Sequence, residues 1–137
     1  MGGATLGSPP LADWPGGIRA ITLFFEDLDA ARVFYAEVFG LPVVYEDDDS
    51  TVVRFGETLV NLLSVSEAPG LVEPAPVAAL GAGVRFQLTL GVEDVDAVCD
   101  RLARQGVELL NGPMDRPWGI RTASFRDPGG HIWEIAH

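Results

Sequence analysis

Four residues at matching places in an internal repeat are where this chain could do chemistry: Ala20, Asn61, Gln87 and Glu134. Residues 20–30 (AITLFFEDLDA) and 87–97 (QLTLGVEDVDA) are identical at six of eleven positions, at an offset of 87 − 20 = 67. Leu59-Val60-Asn61-Leu62 is echoed by Ile132-Trp133-Glu134-Ile135, at 134 − 61 = 73. Two copies of one unit imply a pseudo-symmetric structure, and a shared site in such a structure draws on equivalent positions of both copies. Of the four, only Glu134 ionises. Asn61 and Gln87 carry neutral carboxamides, and Ala20 carries a methyl group.

Other side chains with reactive or binding chemistry have simpler readings. Cys99 falls on the apolar stripe Val95, Val98, Leu102 and is expected to be a core thiol rather than a nucleophile. The acidic run Glu46–Asp49 lacks the spaced ligands and the glycine of a calcium loop, which leaves a solvated hairpin tip. Arg116 and Arg121 either hold an anionic ligand group or pair with surface carboxylates. Arg54 and Arg85 fall in strands, where a buried guanidinium needs a partner, so Arg85 is a candidate substrate anchor. Trp118 either stacks on a planar or cationic ligand or covers an apolar surface.

The elements that must position these residues follow from periodicity and punctuation. Residues 1–17, rich in proline and glycine, form a loose arm that Trp14 is placed to anchor. The first module, residues 18–64, reads as a strand Ile18–Phe25, a helix and three strands, Val43–Glu46, Thr51–Phe55 and Thr58–Ser64. Asp27 caps the helix, Asp29 complements its dipole, Leu28, Ala31, Phe34/Tyr35 and Val38 are its buried stripe, and Gly40 with Pro42 stops it. Residues 65–83 hold three prolines and three glycines and read as a linker or lid between modules. The second module, residues 84–137, repeats the order: a strand Val84–Leu90, a helix capped by Asp94 and ended by Gly106, then strands Val107–Leu110, Ile120–Phe125 and His131–Ala136.

Composition narrows the class. At 137 residues the chain is one domain or two small modules sharing a core. The net charge is −11, and all nine cations are arginines. Such a chain repels phosphate backbones, so nucleic acid is excluded as a partner, while a cationic ligand would be attracted. No apolar run approaches the ~18 residues that span a bilayer, and the N-terminus has neither the basic nor the apolar part of a secretory signal. With one cysteine and no internal disulfide, the chain suits the cytoplasm.

EDLDAARVFYAEVFGL at 26–41, EDVDAVCDRLARQG at 93–106 and FRDPGGHIWEI at 125–135 resemble the vicinal oxygen chelate superfamily. That group contains glyoxalase I, extradiol dioxygenases and fosfomycin- and bleomycin-resistance proteins. The likeness covers roughly residues 18–137. It implies an α+β fold of two tandem βαβββ modules forming a cupped mixed sheet with helices on the outer face. By that analogy Ala20, Thr22, Phe24, Asn61, Arg85, Gln87, Thr89 and Glu134 face the cup, as do Leu59, Leu63 and Ile132, and Trp118-Gly119 resembles the groove wall of bleomycin-resistance-like members. Members of this size commonly form homodimers, side by side or with swapped modules.

The resemblance also implies a divalent metal held at Ala20, Asn61, Gln87 and Glu134, and these residues supply it poorly: one carboxylate, two amides and a methyl group. The expected function is therefore binding of a small organic molecule in the cup with no cofactor, the ligand residues being Thr22, Phe24, Asn61, Arg85, Gln87, Thr89, Trp118 and Glu134. The alternative is a metal-dependent lyase, isomerase or dioxygenase with the ion on Gln87 and Glu134. If any reaction occurs, Glu134 is the catalytic base.

Overall fold

The computed structural model of the protein describes residues 16–137; most of the expected N-terminal arm, with Trp14, lies outside the described residues. Each module is a βαβββ unit. The first comprises β1 (Ala20–Phe25), α1 (Leu28–Phe34), β2 (Val43–Glu46), β3 (Ser50–Phe55) and β4 (Thr58–Ser64). A short helix α2 (Ala68–Val72) follows in the linker, and the second module comprises β5 (Gln87–Gly91), α3 (Val95–Arg104), β6 (Leu109–Asp115), β7 (Arg121–Arg126) and β8 (Ile132–Ala136). Each module forms its own four-stranded sheet, ordered β1-β4-β3-β2 and β5-β8-β7-β6, with the first pair of each parallel and the rest antiparallel.

The repeated ED-x-DA segments do the same work twice. The Asp27 carboxylate accepts from the Ala30 amide at 3.0 Å, and Asp94 accepts from Ala97 at 3.0 Å, so each satisfies an orphan donor at its helix start. In α1 the chain then widens into a π-type turn over Tyr35–Phe39 and stops at Gly40, whose φ of 61° favours glycine. The acidic run forms the expected hairpin tip: Asp47 Oδ1 accepts from the amides of Asp49 and Ser50, and Arg32 braces the loop from α1 through Thr51, Ser50 and Asp47.

Several boundaries differ from the sequence reading, each for a local reason. Residues 68–72 are helical despite Pro69, because proline in a first turn removes only an amide that has no partner there. β6 runs on to Asp115 through Pro113, where a loop was expected. It is the edge strand of its sheet, which tolerates proline, and its register shifts between Asn111 and Met114. Gly112 sits inside that shift at φ 85°; a Cβ there would lie 2.5 Å from the Thr122 carbonyl oxygen. β5 starts at Gln87 rather than Val84, since its parallel partner β8 starts only at Ile132, after the Asp127–Gly130 turn.

Alternation along the strands sends Leu23, Phe25, Val53, Val60 and Leu62 to the helix side of the first sheet, and Ala123, Phe125, Trp133 and Ile135 to that of the second. These residues and the buried stripes of α1 and α3 make one continuous cluster. Phe55 stacks on Trp133 with centroids 5.1 Å apart, and Phe39 packs on Trp133 at 5.1 Å. The two helix sides are thus turned toward each other, and the open side of each sheet is turned away.

A polar knot fastens this packing. Tyr35 Oη donates to Asp127 Oδ2 at 2.7 Å and accepts from Trp133 Nε1 at 3.0 Å. Asp127 Oδ1 takes the amides of Gly129 and His131, and His131 Nδ1 lies 2.9 Å away. Burial, followed by the Asp127 charge, pushes the Tyr35 phenol far above its ordinary value, so it stays a donor. Removing the hydroxyl in Tyr35→Phe strands Trp133 Nε1 and leaves Asp127 Oδ2 with only His131 Nδ1, at 3.0 Å. It should cost about 1–3 kcal/mol, and Asp127→Ala should cost more, read as lower urea midpoints with unchanged slopes.

Candidate functional site

Cross-strand register sorts the open sides into rows. On the first sheet, Thr22 pairs with Asn61 and Asn61 with Val52, while Ala20 pairs with Leu59 and Leu59 with Arg54. On the second, Thr89 pairs with Glu134, Glu134 with Ser124 and Ser124 with Asn111. Gln87 lies one row away, beside Ile132. Thr22 and Thr89 are therefore equivalent, as are Asn61 and Glu134, as the repeat requires. Thr89 Oγ1 donates to Glu134 Oε1 at 2.9 Å. Ala20, Thr22, Gln87 and Thr89 are exposed, and Asn61 and Glu134 are half-buried.

The structure brings together Thr22 with Asn61, and Gln87 and Thr89 with Glu134, but it does not bring the two groups together. They stand on opposite outer faces of the chain, because the helix sides occupy the space between the sheets. Strand alternation placed Thr22, Asn61, Thr89 and Glu134 on these faces; it carried no signal for which face of one module meets the other.

The open sides are rich in acceptors. The carbonyl oxygens of Asn61 and Asn111 are shut off from solvent and have no hydrogen-bond partner among the described residues. Each such oxygen costs about 1–3 kcal/mol until a donor reaches it. The accessible acceptor is the Glu134 carboxylate, which suits a ligand that brings N–H groups or positive charge; the two amide carbonyls lie out of a ligand's reach in this conformation. Trp118 stands at the edge of the second sheet's open side, 69% exposed, in a turn closed by Gly119 N to Arg116 O at 3.0 Å. The Arg116 guanidinium lies 5.8 Å from the Trp118 ring centroid while its Nε donates to Thr122 at 2.8 Å, fixing the turn over the sheet. Arg121, in contrast, is occupied: Asp96 and Asp115 each bind it at 3.0 Å and hold its guanidinium pKa up.

Three expected cup residues sit elsewhere. Arg85 precedes β5 and, with Phe24 and Ile132, lines a cavity of about 740 Å³ beneath the linker, at the seam where the end of β1 meets the start of β8. His131, read from sequence only as a packing or solvent residue, is on that wall too. A wider groove of about 1060 Å³ runs between α1 and the start of β6 and includes none of the four repeat positions.

The donors do not fit a family-type cation. Ala20 has none, the Asn61 carbonyl is shut away, Gln87 offers an amide, and Glu134 already holds Thr89. Among the described residues no three His, Cys, Asp or Glu side chains are close enough to hold an ion.

Comparison with known proteins agrees with this architecture. The profile of the Glyoxalase/Bleomycin resistance protein/Dioxygenase superfamily matches residues 17–135. Uncharacterized protein YraH of Bacillus subtilis (strain 168) is 35% identical over 119 residues, which is 84% of this chain and 93% of that one. Among solved structures, a glyoxalase-related enzyme from Fulvimarina pelagi superposes with a TM-score of 0.76 at 28% identity, over 89% of this chain and 88% of that one. Lactoylglutathione lyase from Agrobacterium tumefaciens superposes with a TM-score of 0.72 at 25% identity, over 89% and 93%.

Cys99 completes the inventory. It is 7% exposed between Val95 and Leu102 on the buried stripe of α3. Burial, then the charges of Asp96 and Asp100, push its thiol above the ordinary value. Since only the thiolate is nucleophilic, Ellman's reagent at pH 8 should label the folded chain on the order of 100-fold more slowly than the chain in urea.

Proposed function

Because the chain belongs to the Glyoxalase/Bleomycin resistance protein/Dioxygenase superfamily, we propose that it binds a small, planar, cationic or donor-rich organic molecule in a cup shared between two copies of itself. The carrying observation is the Glu134 carboxylate on the second sheet's open side, held by Thr89, with the exposed Trp118 at the edge of the same sheet. Neither sheet encloses a ligand alone. The first module's Thr22 and Asn61 from one copy would face the second module's Gln87, Thr89, Glu134 and Trp118 from the other. Among the described residues β1 and β5, the edge strands that carry Thr22 and Thr89, have no strand partner on their outer edges, which supports this pairing.

In this reading Glu134 neutralises the ligand's positive charge, held in place by Thr89. Trp118 stacks on its planar face, worth about 0.5–2 kcal/mol for a cation. The amides of Asn61 and Gln87 set its orientation. Sequestration needs no chemical step, and the donor set supports recognition without a chelated ion. The protein would act in the cytoplasm, where net charge of −11 keeps it soluble.

Light scattering should give twice the 14.6 kDa chain mass. Calorimetry against planar cationic antibiotics should show saturable binding that Glu134→Gln weakens about tenfold or more, the worth of a charged hydrogen bond. Mixing Asn61→Ala chains with Glu134→Gln chains should restore one intact cup in each hybrid dimer; no recovery of tight binding would sink the shared cup. Elemental analysis of protein purified without chelator should find far less than one metal per chain. Near-stoichiometric metal would instead favour a lyase, isomerase or dioxygenase using Gln87 and Glu134.

A further inference from the structure

The cavity beneath the linker has a chemistry opposite to that of the open sides. Its volume of about 740 Å³ lies within the roughly 300–1,000 Å³ usual for small-molecule sites. Apolar groups from three sources line it: Phe24 at the end of β1, Val72 and Leu80 in the linker, and Ile132 at the start of β8. Val84 and Phe86 close it where the linker rejoins the second sheet. Its polar groups are Glu26, Arg85, Arg126 and His131.

The two arginines set the sign. Among the described residues neither Arg85 nor Arg126 lies within 4.0 Å of a carboxylate, and neither guanidinium makes a hydrogen bond there. Arginine presents a planar fork of donors that matches a carboxylate. His131 adds a third polar group. Its Nδ1 is engaged by the fully buried Asp127 carboxylate, and its ring packs edge-on to Phe25 at 4.9 Å. Asp127 therefore fixes the orientation of the imidazole and leaves Nε2 as the ring nitrogen with no partner among the described residues. Glu26 is the one acid in the lining, against two arginines.

We propose that this cavity is a second binding site, for an amphipathic carboxylate: an aliphatic tail among Phe24, Leu80 and Ile132, and a carboxylate between Arg85 and Arg126 beside His131. The site lies within a single chain and does not depend on the shared cup or its cationic ligand.

Decanoate is the probe. Calorimetry should find one saturable decanoate per chain. Arg85→Ala/Arg126→Ala should weaken it about tenfold or more, with the urea midpoint unchanged because both side chains are exposed. Leu80→Trp, which fills the cavity and leaves the arginines in place, should weaken it as well. Acetate, which has the head without the tail, and decyltrimethylammonium, which has the tail with the opposite charge, should bind far more weakly than decanoate. A saturating planar cation should leave decanoate in place. The proposal is overturned if decanoate does not saturate, if the double arginine variant binds it as tightly as the parent, if decyltrimethylammonium binds equally well, or if the planar cation displaces it.

Discussion

One buried carboxylate decides how the halves of this molecule face each other. Asp127 stands in the turn before β8, without solvent contact, and collects the Tyr35 hydroxyl from the first module and the His131 imidazole from the second. A buried anion is tolerable only when its lone pairs are filled, and these donors come from both modules. The helix sides must therefore meet at Tyr35, Trp133 and Phe125. Hydrophobic burial makes that contact favourable, but an apolar surface is non-directional and would accept many orientations. The hydrogen bonds to Asp127 and the Trp133–Tyr35 bond select one of them. Once the helix sides are joined, the open sides must diverge.

The repeat shows what each half was free to change. The cap residues Asp27 and Asp94, the first-turn acids Asp29 and Asp96, and the parallel pairing of the first and last strands are kept, because each serves its own module. The open-side rows differ. Ala20 stands opposite Gln87 in the pseudo-symmetry, and Asn61 opposite Glu134. These positions carry little of the fold: Ala20 and Gln87 are exposed, the Asn61 carbonyl has no partner among the described residues, and Glu134 takes only the Thr89 hydroxyl. They are the positions at which a change of residue alters what the molecule can bind without altering how it folds.

Most of the fold was legible in the sequence, for physical reasons that can be named. Period-two alternation placed Thr22, Asn61, Thr89 and Glu134 on the correct faces, and the Asp caps fixed where α1 and α3 begin. What escaped were features set by neighbours distant along the chain. β6 extends through Pro113 because an edge strand forgives a missing donor. β5 starts late because its partner β8 starts late, and that delay moves Arg85 off the sheet and into the linker cavity. The meeting of helix sides rests on residues 92 and 98 positions apart, Tyr35 with Asp127 and Trp133, which no local pattern connects. His131 escaped for the same reason, since its role is defined by Asp127 and by a cavity roofed by residues some fifty positions earlier.

The polarity of the surface follows from where the arginines went. With twenty acids and nine arginines, most acids remain without a cation, and a carboxylate in water needs none. The arginines are the scarce resource. Arg32 braces the β2–β3 hairpin and Arg121 ties β7 to α3, both structural tasks near their own acids. None reaches Glu134, whose neighbours in the row are Thr89 and Ser124. Arg85 and Arg126, by contrast, both line one apolar cavity. In a chain this acidic, two arginines lining one apolar cavity are a local departure. The lone Glu134 carboxylate on one side and the arginine-lined cavity on the other give two parts of one surface opposite charge.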